Sequence, residues 1–122
     1  MNRIRVALLG LAGTALLLAF ALPAAAHPSR AAGTTVTVTA GKPTEFSFKL
    51  STKTVKHGSV TFKITNGGAL PHDFKIVGKT TKLITPGSSA TLTVTLKAGT
   101  YPHQCTVSGH AAAGMKGTLK AT

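Results

Sequence analysis

A chain of 122 residues with one cysteine, 14 Lys and Arg and only two acidic residues has room for one domain and no means of forming an internal disulfide. No paired carboxylates, Ser-His-Asp set or phosphate-binding loop is apparent, and only two acidic residues exist to do acid–base work. The formal charge of +12 comes mostly from scattered lysines, which make a positive soluble surface and not an arginine-lined groove for nucleic acid.

In chain order, residues 1–26 have the layout of a secretory signal peptide. Arg3 and Arg5 precede an uncharged apolar run from Val6 to Leu22, Pro23 follows, and Ala24-Ala25-Ala26 offers small residues for cleavage after Ala26. An uncleaved membrane anchor is the alternative, although the run is short for a span. Cleavage would place the product in a periplasm or another extracytoplasmic or cell-wall space. The mature piece would keep eleven Lys, Arg30, Glu45 and Asp73, a net charge of about +10. Residues 27–33 read as a flexible lead-in. His27 at a new amino terminus could chelate copper, but nothing nearby completes a site.

From Thr34 the period is two. Thr34–Ala40, Phe46-x-Phe48-x-Leu50, Val60-x-Phe62-x-Ile64, Phe74-x-Ile76, Leu92-x-Val94-x-Leu96 and Tyr101-x-His103-x-Cys105 each alternate apolar and polar positions, and Lys116–Ala121 reads as a closing strand. Turn chemistry separates them at Gly41-Lys42-Pro43, His57-Gly58, Asn66-Gly67-Gly68, Pro86-Gly87-Ser88 and Ala98-Gly99. This pattern predicts an all-β, Greek-key antiparallel sandwich of about seven to eight strands over residues 34–122. His57 reads as a solvated turn residue.

Four positions carry chemistry on this frame. His72 falls on the apolar parity of Leu70-x-His72-x-Phe74, where an imidazole is costly unless its nitrogens are satisfied; a core histidine bonded to a carbonyl is the plain alternative. Cys105 ends a strand, and His110 and Met115 follow at equal steps before the chain re-enters a strand. Gly109 and Gly114, each just before a candidate ligand, permit the turns that bring the three together. Singly, these residues could be a buried thiol, a surface histidine and a core methionine. Together, thiolate, two imidazoles and a thioether form a soft mixed donor set, the arrangement of blue-copper sites and one that structural zinc rarely uses.

The chain resembles the cupredoxins, the family of plastocyanin and azurin. Gly99-Thr100-Tyr101-Pro-His-Gln-Cys105 is similar to the strand that leads into their metal loop. The C-x4-H-x4-M spacing of Cys105, His110 and Met115 is most like that of rusticyanin and auracyanin. Asn66-Gly67-Gly68-Ala69-Leu70-Pro71-His72 matches the turn that carries the first histidine, and Pro86-Gly87-Ser88 is also shared. The resemblance implies a type 1 copper ion cycling between Cu(I) and Cu(II), with His72, Cys105 and His110 in the plane and Met115 axial.

Three departures stand out. Asp73 replaces the family's Asn; a nearby carboxylate would favour Cu(II) and lower the potential. Ser108 replaces a common loop proline, and His103 replaces an aromatic, facing the same way as Cys105 as a packed residue or a proton-linked one. The function implied is an exported, monomeric, non-enzymatic carrier of single electrons. It would dock redox proteins of acidic surface through small apolar segments, residues 67–71 and 111–114, around the edge of His110. Its lysines could also hold it to an anionic membrane or wall. A copper chaperone or buffer without electron transfer is the alternative, and a metal-free adhesion sandwich the third.

Overall fold

The computed structural model describes Gly10, residues 19–22 and residues 33–122. The expected signal peptide and all but the last residue of the lead-in's 27–33 segment lie largely or wholly outside these residues. Ala31–Thr122 forms one compact unit, and no helix occurs among the described residues.

Among the described residues, nine strands form two sheets. One contains β1 (Thr34–Ala40), β2 (Phe48–Leu50), β4 (Gly58–Asn66) and β7 (Ser89–Leu96), in the order β2-β1-β4-β7. The other contains β3 (Thr54–Val55), β5 (Lys75–Ile76), β6 (Lys79–Thr80), β8 (Gly99–Gln104) and β9 (Lys116–Ala121), in the order β3-β9-β8-β5-β6. The alternation read from the sequence sets which face is buried. Val36, Val38 and Ala40 of β1 and Val60, Phe62 and Ile64 of β4 are fully buried, while the intervening Thr and Lys residues face outward or sit half-exposed. On that outer face Thr61 pairs with Thr93 at 3.0 Å and Thr65 with Ser89 at 2.9 Å across β4 and β7. Each large side chain in the core contributes about 1.5–3 kcal/mol by leaving water.

Strand direction differs from the expectation. The sandwich is not wholly antiparallel, because β1 runs parallel to β4 and β3 parallel to β9. Alternation reports the buried face and carries no information on direction. The parallel pairs arise because β2 closes the edge of one sheet and the next strand, β3, lies at the edge of the other, so the chain crosses between sheets before β4. Residues 67–74 also depart from the expected strand. They form a loop held to the framework by the His72–Ile84 bridge and by bonds to Ala40 and Asn66, and Leu70, on the apolar parity, is 42% exposed. His57 is less free than a solvated turn residue: its amide donates to the Thr122 carbonyl at 2.8 Å, and its Nδ1 lies 2.8 Å from the same oxygen.

His103 is a packed residue. It lies at 4% exposure with its ring 5.3 Å from Phe74 and 5.6 Å from Phe48. It sits opposite Gly117 of β9, where any Cβ would come within 2.9 Å of the imidazole. Its Nδ1 has no hydrogen-bond partner among the described residues. Burial, with Lys53 nearby, lowers its pKa from 6.5 to about 4. Because the unfolded chain takes up this proton more readily, stability is full above about pH 6.5 and falls as pH drops towards 4. Urea unfolding followed across pH should show a loss of roughly 3 kcal/mol over that window, at 1.36 kcal/mol per unit, and His103→Leu should flatten it.

Candidate metal centre

One end of the sandwich gathers the loops that carry the chemical side chains. His72 is fixed by two backbone bonds to Ile84, donating at 3.1 Å and accepting at 2.7 Å. Cys105 follows β8 directly. Its amide donates to the Met115 carbonyl at 3.0 Å, so the residues on either side of the loop meet at its base. Inside the loop, the Met115 amide donates to the His110 carbonyl at 3.0 Å, and Ala113 and Gly114 close tight turns onto residues 109–111. Gly109 and Gly114 take positive φ values of 84° and 115°, the backbone freedom expected of them.

The result brings His72, Cys105 and His110 together from positions 33 and 5 residues apart. All three are buried, and one donor atom from each lies within 4.8 Å of the others. His72 Nδ1 and His110 Nδ1 are 3.1 Å apart, and Cys105 Sγ is 3.6 Å from His110 Nδ1. Phe46 packs edge-on against the His110 ring, with centroids 5.0 Å apart. Met115 is fully buried in the same core cluster, pinned through its backbone to both Cys105 and His110.

These residues fit a metal ion. Two facing imidazole nitrogens and a sulfur repel unless a proton or cation is shared between them. The 3.1 and 3.6 Å separations are shorter than two metal bonds end to end, given ~2.0–2.1 Å to nitrogen and ~2.3 Å to sulfur. Burial pushes the Cys105 thiol pKa up, partly offset by the amides of Asp73 and Val107. A cation must therefore displace the thiol proton on binding.

Neither carboxylate of the chain is in the donor set. Asp73 accepts from the Thr106 amide at 2.6 Å with Oδ1 and from the Thr106 hydroxyl with Oδ2. It thereby ties the residue after the first histidine to the residue after the cysteine, and fills a bracing role with a carboxylate. Glu45, which the sequence reading did not single out, accepts from His72 Nε2–H at 2.6 Å. Nothing local marked it: it is one polar residue in a turn, 27 positions before the histidine it meets. Two nitrogens, one thiolate and no carboxylate make a soft, nitrogen–sulfur set that suits copper. His72, Cys105 and His110 are arranged as a type 1 copper site.

Fold and site together define a blue-copper type of domain. The family described as Cupredoxin-like domain matches residues 12–119, and the chain belongs to it. No curated protein matches the chain. Among solved structures it is similar to auracyanin B, with 24% identity and a TM-score of 0.63 over 73% of this chain and 88% of that one. Auracyanin A, a "blue" copper protein from the green thermophilic photosynthetic bacterium Chloroflexus aurantiacus, has 20% identity and a TM-score of 0.60 over 74% and 99%. Reduced rusticyanin has 24% identity and a TM-score of 0.60 over 72% and 78%. At these identities the likeness is one of fold.

The Asp73 clamp has a measurable weight. Asp73→Ala removes both acceptors from Thr106 and should cost about 1–3 kcal/mol in denaturant unfolding. Asp73→Asn, which keeps one carbonyl acceptor, should cost less. Amide exchange at Thr106 should speed up in the alanine variant.

Proposed function

We propose that this protein is an exported type 1 copper protein that carries single electrons between redox partners. The observation that carries this reading is the buried His72–Cys105–His110 triad with no carboxylate among its donors. A copper ion held there would supply a one-electron Cu(II)/Cu(I) couple. Cys105 would offer the thiolate, His72 and His110 the imidazoles, and Met115, fully buried at the close of the loop, a weak thioether donor. Backbone bonds at Ile84, Met115 and His110 hold these residues in place, which limits rearrangement between oxidation states. The likeness in fold to a "blue" copper protein supports the assignment.

His110 gives the site its route to the surface. It is 9% exposed, against 0% for His72 and 1% for Cys105. The surrounding surface is small and uncharged: Ala112, Ala113, Gly114, Ala69 and Leu70 are exposed. Such a surface lets a partner approach closely. The lysines are spread over strands and loops, Lys42 beside Gly67 and Lys116 directly after Met115 among them, where they would steer an acidic redox protein or an anionic membrane or wall surface. The monomeric state, the absence of enzymatic turnover and export through residues 1–26 belong to the same reading.

Adding Cu(II) to the purified protein should give an intense thiolate-to-copper absorption at one ion per chain, with release of a proton, and Cys105→Ser should abolish the colour. The colour should bleach on reduction and return on reoxidation without loss of metal. Copper that leaves on reduction and passes to an acceptor would instead mark a chaperone or buffer. Met115→Leu, a volume-conserving change costing less than about 1.5 kcal/mol, should keep the colour and raise the reduction potential, since it removes a donor that helps Cu(II).

A further inference from the structure

The chain has only two carboxylates. Asp73 braces the cysteine loop, while Glu45 occupies a different place and does more than fill a turn. Its Oε1 accepts His72 Nε2–H at 2.6 Å and the Leu70 amide at 3.0 Å, and its Oε2 accepts the Ala69 amide at 2.9 Å. Three donors from one ligand-bearing loop thus converge on one side chain from the β1–β2 connection. Gly68 makes room for it: a Cβ there would collide with the Glu45 carboxylate. The loop is held from its other side by Asn66, whose Nδ2 donates to the Leu70 and Ile84 carbonyls at 2.8 Å each and whose Oδ1 accepts the Gly68 amide at 2.9 Å.

We propose that Glu45 is a positioning residue for the metal centre: it holds His72 as the Nε2–H tautomer with the Nδ1 lone pair aimed at His110 and Cys105, and its negative charge favours the more highly charged state of a metal bound there. The inference rests on the copper reading for its second half only; the tautomer is a property of the protein's own residues. A histidine ring has two nitrogens, and the one that keeps the proton cannot ligate, so an acceptor on Nε2 chooses Nδ1 as donor. Fixing the ring from its far side also spares the site the entropy of orienting it. The anionic acceptor makes the imidazole a better donor and places charge one ring away from the metal. The amides of Ala69 and Leu70 that donate to the carboxylate favour its anionic form.

Three variants test this in the purified protein. Glu45→Gln keeps an acceptor and loses the charge, Glu45→Ala loses both, and Gly68→Ala keeps the carboxylate but displaces it. Long-range nitrogen–proton NMR correlations of the metal-free protein should show His72 as the Nε2–H tautomer in the wild type and as a mixture in Glu45→Ala and Gly68→Ala. In the copper-loaded protein, Glu45→Gln should lower the preference for Cu(II) over Cu(I) by about 10-fold, a rise in potential of about 59 mV. Unchanged tautomer and potential in all variants, with only a lower melting temperature, would reduce Glu45 to a loop brace and overturn the proposal. A wild type that takes no copper would end the electron-carrier reading, and the tautomer comparison would still decide whether Glu45 positions His72.

Discussion

Two imidazole nitrogens held 3.1 Å apart beside a thiol, under a surface that admits little water, is an arrangement no flexible chain would keep. Each group loses hydration on burial, and none of the three satisfies the others fully without a cation between them. The rest of the structure sustains it. The core is packed through Phe62, Phe74 and Ile84, and the His72–Ile84 bridge anchors one ligand to it. The bond from the Cys105 amide to the Met115 carbonyl turns a ten-residue excursion into a closed loop. The frame therefore bears the cost of gathering the donors before any ion arrives.

Much of this was legible in the residues. The period-two pattern of β1, β4 and β7 marked the buried faces correctly, and the parity of His72 put an imidazole in the core, where it lies. Spacing and glycine placement around Cys105, His110 and Met115 pointed to a folded-back loop, and the positive φ values of Gly109 and Gly114 agree. What stayed hidden depended on pairing at long range. The parallel registers of β1 with β4 and of β3 with β9 follow from the chain changing sheets, which alternation cannot report. Glu45 stayed hidden because hydrogen bonding across 27 positions leaves no local mark. Leu70 was misplaced because a loop cross-braced by Asn66 and Glu45 does not obey strand parity.

The distribution of charge follows the same logic. A chain with so few acids could have spent them as surface counter-ions to its many lysines. Both are instead bonded to backbone amides of the ligand loops, Asp73 beside the cysteine and Glu45 beside the first histidine. A carboxylate that accepts amide protons is held in place by directed bonds, and the gain is larger than for an exposed ion pair. The outer surface is left almost purely cationic, so association with any anionic body should weaken as salt rises.

The position of β9 adds a constraint on timing. It is the last strand of the described chain, yet it lies inside its sheet, between β3 and β8. Met115, whose carbonyl receives the Cys105 amide, stands immediately before it. A nascent chain stopped at residue 114 would lack both the loop closure and an interior strand of one sheet, leaving Cys105 uncovered. The thiol thus gains its shelter only once Met115 and β9 are in place, and until then it is open to oxidants and to soft metals.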